Sequence, residues 1–150
     1  KIQIMRVPFI GWILSKAGVF GVDRGAADMH AVKTALKYLK WGDKLLMFPE
    51  GTRNRTKEEM LPLKGGAALF AIKAKVPVYP IMTAGKTRYF RRTPIIVGDP
   101  IDLSEFYDVK MTAEDYERAE NIIREKMLGV LHDYYREREE RKAKKKARKK

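Results

Sequence analysis

The chain has 150 residues, 45% hydrophobic and 10% aromatic, which indicates one globular domain and excludes a disordered polypeptide. It has no cysteine, which excludes disulfides, thiol catalysis and thiolate metal sites, and its two histidines argue against a multi-histidine metal site. The formal net charge of +13 favours anionic partners: nucleic acid, an acidic membrane surface or phosphorylated small molecules. No apolar run approaches the roughly 18 residues of a membrane span, and no signal peptide is recognisable.

The first two predicted elements are helices. Residues 7–20 are apolar almost all round; a buried helix and a membrane-surface segment both fit, and we favour the buried helix. A spacing of 3, 4 and 3 residues predicts a helix over residues 26–40, with Asp28 in its first turn and Gly42 after its end. The apolar positions of that helix are Met29, Val32, Leu36 and Leu39.

Strand and helix patterns then alternate. The predicted segments are a short buried strand at 44–48, a close-packed helix at 65–75, and strands at 76–84 and 93–101. Pro77 and Pro80 set the ends of the second strand rather than its middle. The alternation predicts an α/β fold with a largely parallel central sheet flanked by helices, in which ligands sit beyond the carboxyl ends of strands.

A long C-terminal helix is predicted from Thr112, which can cap it together with Asp115 in a capping box. Its apolar stripe, ending before the charge run, is Tyr116, Ala119, Ile123, Met127, Val130 and Tyr134. Residues 136–150 hold ten Lys or Arg and three Glu, so they carry +7 of the net charge and the remainder carries +6. We therefore divide the chain into an α/β domain, residues 1–135, and a basic helical tail, residues 136–150.

The segment FPEGTRNR, residues 48–55, follows the first predicted strand and concentrates groups suited to a phosphate and hydroxyls. Arginine offers a planar fork that matches phosphate in bidentate geometry, and glycine lets the backbone approach a ligand closely. The threonine hydroxyl can donate, while an ionised glutamate accepts from a ligand hydroxyl or orients an arginine. Taken alone, the segment fits a solvated turn after a strand equally well.

Three segments in order strengthen the functional interpretation: GVFGVDR at 18–24, FPEGTR at 48–53 and VPVYPI at 76–81. They resemble three of the four sequence blocks of the glycerolipid acyltransferases, the family of the bacterial 1-acylglycerol-3-phosphate acyltransferases, with Asn54 where serine is commoner. The connecting text VPFIGWIL, LPLKGGAA and VGDPIDL is similar as well. The resemblance covers residues 1 to about 107.

The resemblance implies acyl transfer from acyl-CoA or acyl carrier protein to 1-acylglycerol-3-phosphate, giving phosphatidic acid, on a glycerolipid acyltransferase-like fold. It implies a peripheral enzyme at the cytoplasmic face of the membrane, with an anionic membrane surface as partner and no metal or cofactor beyond the acyl donor. The implied phosphate ligands are Arg24, Arg53 and Lys64, and the implied glycerol-lining residues are Glu50, Gly51 and Thr52. Pairing of Arg24 with Asp23 or Glu50, and a merely solvated Lys64, are the simpler alternatives.

The family's first block, His-x4-Asp, is absent. Ala35 stands five residues after His30, and Glu137 stands five residues after His132. In the family this histidine is the general base and the aspartate orients it. The resemblance therefore assigns no catalytic residue to this chain, and we expect the pair upstream of Lys1 and the 150 residues alone to be inactive.

Two other functions remain open. A member of the family that binds phospholipid without catalysis would lack the His-x4-Asp pair altogether. A nucleic-acid-binding module would explain the charge and the aromatic and basic residues of KTRYFRR, residues 86–92, but no nucleic-acid motif accompanies them, so we expect no nucleic-acid partner. The same residues suit the rim of a membrane-facing pocket, and the basic tail is either a solvated helix end or a membrane-surface anchor.

Overall fold

The computed structural model of the protein describes residues 7–16, 18–19, 28–85 and 92–148. The chain divides into two compact units, Lys1–Leu46 and Met47–Lys150. The first unit contains helices α1 (Pro8–Lys16) and α2 (Met29–Lys40). The second contains α3 (Gly66–Ala74), strands β1 (Ile81–Thr83) and β2 (Ile95–Val97), a 3-10 turn (Ser104–Phe106) and α4 (Ala113–Ala147).

Helix α1 forms within the apolar segment, but the prediction that this segment is buried is wrong. The side chains of Phe9 and Trp12 are 72% and 60% exposed, and Ile10 and Ile13 are exposed as well. A nine-residue helix that is apolar all round has no polar side to turn towards water, so its apolar side chains are exposed wherever other residues do not cover them.

Helix α2 confirms the predicted helix at 26–40. Asp28 is its N-cap, and the Asp28 carboxylate accepts a hydrogen bond from the Ala31 N–H at 2.9 Å. Gly42, with φ of +87°, follows its end. The buried face is centred on Ala31 and Ala35, whereas Met29, which was predicted to belong to it, is exposed.

The sheet of the described residues has two strands, β1 and β2, and they are antiparallel, so the largely parallel sheet is not confirmed. Met82 lies opposite Ile96, and the pairing continues at a bridge between Val78 and Ile101. Parallel strands need a crossover of about a dozen residues or more, and the connection between β1 and β2, residues 84–94, is at the short limit of that length. The predicted strand at 76–84 is thus reduced to three residues and the bridge.

The predicted buried strand at residues 44–48 does not form. The chain there has no strand pairing, and Leu46 and Phe48 are 77% and 83% exposed. A buried strand requires neighbouring strands for its backbone groups and its apolar faces. Within the described residues the only ladder is that of β1 and β2, so the apolar run has no partner.

Helices α3 and α4 supply most of the core of the second unit. Helix α3 buries Ala67, Ala68, Ala71 and Ile72, which confirms a helix packed through small residues. Helix α4 begins with the predicted capping box of Thr112 and Asp115. Its stripe packs into a core that includes Leu103 and Ile123, both fully buried.

Helix α4 continues without interruption past Tyr135 to Ala147, and its residues from 136 onwards are exposed. The basic tail is therefore a solvated extension of the same helix. No helix among the described residues combines the length and the apolar character needed to cross a membrane.

Candidate anion-binding site

The loop of residues 49–64 carries most of the predicted site, and backbone hydrogen bonds close it. The Gly51 N–H donates to the Phe48 carbonyl at 3.0 Å, and the Lys64 N–H donates to the Pro49 carbonyl at 3.0 Å. The two ends of the 49–64 loop consequently run side by side. Gly51 has φ of +64°, and a β-carbon added there would lie 3.1 Å from Lys64 Cγ, so the structure brings Gly51 and Lys64 together.

Glu50 anchors this loop through one carboxylate oxygen. Its Oε2 atom accepts a hydrogen bond from the Leu61 N–H at 3.0 Å in a partly buried position. Residue chemistry predicts that Glu50 contacts a ligand hydroxyl or an arginine, whereas in the structure its partner is the backbone of Leu61. Any contact of Glu50 with a ligand hydroxyl is then expected from its other carboxylate oxygen, Oε1.

Arg53 and Thr52 are exposed on the 49–64 loop. Within the described ranges Arg53 has neither a hydrogen bond nor an ion pair, so its guanidinium group is available to an anion. Neighbouring Asn54 fixes the inner turn: its amide donates to the Glu58 carbonyl at 2.8 Å and its Oδ1 atom accepts from the Thr56 N–H at 2.9 Å.

Arg24, the third implied phosphate ligand, and the two histidines, neither of which was predicted to be the catalytic base, lie outside the 49–64 loop. Arg24 lies outside the described residues, so its role as a phosphate ligand stays a prediction. His30 is an exposed residue in the first turn of α2. His132 lies on α4, where its Nε2 atom is 2.7 Å from Glu59 Oε2 of the 49–64 loop. That contact joins positions 73 residues apart, and no local pattern could have revealed it.

Glu120 is a buried charged residue that sequence reasoning missed. Buried on α4, it accepts a hydrogen bond from the Ala68 N–H at 2.8 Å through Oε1, and so caps helix α3, whose own N-cap, Gly65, has no side chain. Its Oε2 atom is buried without a hydrogen-bond partner in the described part of the chain. Burial raises the pKa of Glu120, and the backbone N–H groups of Ala68, which donates to Oε1, and of neighbouring Ala67 oppose that rise.

We expect Glu120→Gln to stabilise the protein at pH 7. Because the pKa of Glu120 is higher in the folded state than in the unfolded state, its favourable contribution is complete below about pH 4 and is lost as the pH rises through the folded-state pKa. Glutamine keeps an acceptor for the Ala68 N–H and carries no charge at any pH. Urea unfolding at pH 4 and pH 7 measures the difference.

The expected gain of Glu120→Gln is larger at pH 7 than at pH 4, and a loss of stability at pH 7 would contradict the assignment. Glu120→Ala is the matched variant. It leaves the buried Ala68 N–H without an acceptor and is expected to cost about 1–3 kcal/mol at both pH values.

Gly51→Ala is expected to destabilise the protein by about 1–2 kcal/mol, since an L residue is strained at positive φ and its β-carbon would press on Lys64. Gly129→Ala on α4 is the control: no atom lies within 4 Å of the added β-carbon, and alanine in a helix interior gains up to about 1 kcal/mol over glycine. Urea unfolding of both variants checks the opposite signs. A Gly51→Ala variant as stable as the parent would rule out the closed loop.

Comparison with known proteins identifies similar chains. Residues 1–84 match the family model described as Acyltransferase. The chain is 34% identical over 129 residues to a 1-acyl-sn-glycerol-3-phosphate acyltransferase of Streptococcus pneumoniae, covering 82% of this chain and 46% of the relative. It is 32% identical to proteins of the same name from Bacillus subtilis, covering 71% of this chain and 54% of the relative, and from Pseudomonas aeruginosa, covering 87% and 54%.

The chain therefore spans about half the length of the curated relatives it matches. No solved structure gave a significant match.

Proposed function

Because the chain belongs to the acyltransferase family, we propose that the whole protein transfers a fatty acyl chain to 1-acylglycerol-3-phosphate, forming phosphatidic acid. The acyl donor is acyl-CoA or acyl carrier protein, both of which carry the chain as a thioester. Several relatives bear the name of this acyltransferase. The observation that carries the proposal is the closed 49–64 loop, which puts Lys64 against Gly51 and leaves the Arg53 guanidinium group unpaired among the described residues.

The loop has the chemistry to recognise the phosphate of the acceptor. Arg53 and Lys64 supply cations to the phosphate, and Arg53 can bind it in bidentate geometry. That Arg24 is a third phosphate ligand rests on the resemblance alone. Gly51 allows the backbone to approach, and Thr52 and Glu50 Oε1 bind the glycerol hydroxyl. Glu50 performs this second task while Oε2 stays on the Leu61 N–H.

In the reaction, the free hydroxyl oxygen of the acceptor attacks the carbonyl carbon of the thioester. A carbon–oxygen ester bond forms and the carbon–sulfur bond breaks; the sulfur departs as a thiol after taking up the hydroxyl proton by way of a general base. The residues of this chain bind and orient the acceptor for that attack, and none of them is assigned as the base. Fixing the acceptor in this way lowers the entropic part of the barrier.

We also propose that the protein works at the cytoplasmic face of a membrane. Helix α1 exposes Phe9 and Trp12, which suit the interface between headgroups and acyl chains. The basic end of α4 exposes its Lys and Arg residues, and each gains about 1 kcal/mol near an anionic lipid surface.

Acyl transfer by the whole protein tests the proposed function. The purified native protein is supplied with 1-acylglycerol-3-phosphate and either oleoyl-CoA or oleoyl-acyl carrier protein, and phosphatidic acid is measured by mass spectrometry. We expect stoichiometric release of the donor thiol together with phosphatidic acid. If the protein binds the acceptor but neither donor gives product, the chain belongs to a member that binds phospholipid without catalysis.

A further inference from the structure

Three consecutive residues of the 49–64 loop, Glu59, Met60 and Leu61, are each held by a contact. Two of the partners lie on helix α4, and the third is Glu50 at the start of the loop. The Glu59 carboxylate contacts His132, the Met60 carbonyl accepts from Arg124, and the Leu61 N–H donates to Glu50. The first two contacts come from helix α4. The third links the same stretch to Glu50, three residues before Arg53 in the sequence.

The contact of Arg124 is the more buried of the two. Its Nη2 atom donates to the Met60 carbonyl at 2.9 Å in a partly buried position, and the Met60 side chain is itself buried in the core. A hydrogen bond from a charged donor is stronger than one between neutral groups, and burial protects it from competition by water. Arg124 therefore holds the loop backbone at Met60 against α4.

The contact of His132 lies further along the same side of the helix. Its Nε2 atom is 2.7 Å from Glu59 Oε2, and the two side chains are 57% and 55% exposed. Glu120, Arg124 and His132 are separated by four and eight residues, so they fall on one side of α4. From that side Arg124 and His132 contact the 49–64 loop, and Glu120 contacts the first turn of α3, the helix that follows the loop.

We propose that helix α4 positions the 49–64 loop for binding of the acceptor phosphate, with Arg124 and His132 as the positioning residues. The proposal rests on the function proposed above. The family match ends at residue 84, so these two residues lie outside the matched segment, and the match assigns them no role. Binding of the acyl donor should not depend on Arg124 and His132, because their contacts act on the loop that carries Arg53.

The first experiment compares Arg124→Met with Arg118→Met in the whole protein. Methionine keeps an apolar stem of similar length but has no donor for the Met60 carbonyl. Arg118 also lies on α4, and its loss removes an ion pair with Glu105 and a cation–π contact with Phe106 but no contact to the 49–64 loop. His132→Ala is the second variant; because both partners of that contact are exposed, its folding is not at risk.

Two measurements are made on each variant. Native-state hydrogen exchange follows the Leu61 and Lys64 amides, whose hydrogen bonds close the loop. Steady-state kinetics give kcat and the KM values for 1-acylglycerol-3-phosphate and for the acyl donor. Arg124→Met is expected to speed exchange of these amides about tenfold and to raise the acceptor KM about tenfold, with His132→Ala showing a smaller change in the same direction.

The donor KM is expected to stay at the parent value in both variants, and Arg118→Met is expected to match the parent in every measurement. Arg124→Lys, which keeps a charged donor, should recover part of the loss. The proposal is overturned if the Leu61 and Lys64 amides exchange at the parent rate in Arg124→Met, or if acceptor and donor KM rise equally. Failure of the proposed function has a different signature, because the parent protein itself then makes no phosphatidic acid. In that case the exchange rates alone test whether Arg124 and His132 position the 49–64 loop.

Discussion

Arg53→Ala is expected to raise the KM for 1-acylglycerol-3-phosphate by about 10- to 100-fold, because a hydrogen bond between two charged partners contributes about 1.5–3 kcal/mol. Fold stability should change by less than about 0.5 kcal/mol, since Arg53 is exposed and has no partner among the described residues. Initial rates at varied acceptor concentration measure the first effect, and urea unfolding measures the second.

Arg55→Ala is the matched control for Arg53→Ala. Arg55 is an exposed arginine of the same loop, two residues further on, and its replacement removes the same charge. We expect it to raise the acceptor KM by less than about threefold, the effect of a screened charge near the site. Equal effects of the two variants would show that the loop attracts anions by its summed charge and that Arg53 makes no specific contact. An unchanged KM in Arg53→Ala would refute the phosphate assignment outright.

The second large effect is expected at Gly98, which directly follows β2 and lies against α4. A β-carbon there would lie 2.3 Å from Val130 Cγ2 and 2.9 Å from Pro80 Cγ. Neither neighbour can yield easily, because the side chain of a β-branched residue on a helix is confined to one rotamer and Pro80 is a buried ring. Gly98→Ala is therefore expected to destabilise the protein by about 3 kcal/mol, the upper end of the usual cost of overpacking.

A double variant separates this clash from a general intolerance of substitution. In Val130→Ala the Cγ2 atom is absent, and the remaining β-carbon would lie at an ordinary distance of 3.5 Å from the added one. We expect Gly98→Ala to cost about 1–2 kcal/mol less in the Val130→Ala background than in the parent. Denaturant unfolding of the four proteins of the cycle gives this coupling energy. Simple additivity would contradict the packing described here.

The helices could be predicted from the sequence because their signals are local. Asp28 caps α2, and Thr112 with Asp115 caps α4, each through contacts within three residues. The sheet could not be predicted in the same way. Whether residues 44–48 form a strand depends on partners distant in sequence, and the alternation of patterns did not reveal that β1 and β2 pair antiparallel.

The candidate site likewise has a part that local sequence predicts and a part that depends on residues distant in sequence. Gly51, Arg53 and Lys64 were identified from residue chemistry and from the family resemblance, and their role as ligands stays a prediction, although the closed loop places Gly51 beside Lys64. Glu120 and Arg124 were missed because charged residues on a helix are usually solvated. The available signal was weak: each directly follows a residue of the apolar stripe, Ala119 or Ile123, and so lies at the border of the buried face.

We propose that the protein recognises its acceptor by the phosphate, and comparison of two acceptors tests this recognition most directly. The whole protein is assayed with 1-acylglycerol-3-phosphate and with the matched monoacylglycerol, which has the same acyl chain and free hydroxyl but no phosphate. We expect kcat/KM for the phosphorylated acceptor to be higher by at least about 100-fold, since the unphosphorylated one leaves the cations of the loop without a partner. Equal kcat/KM values for the two acceptors would contradict the account.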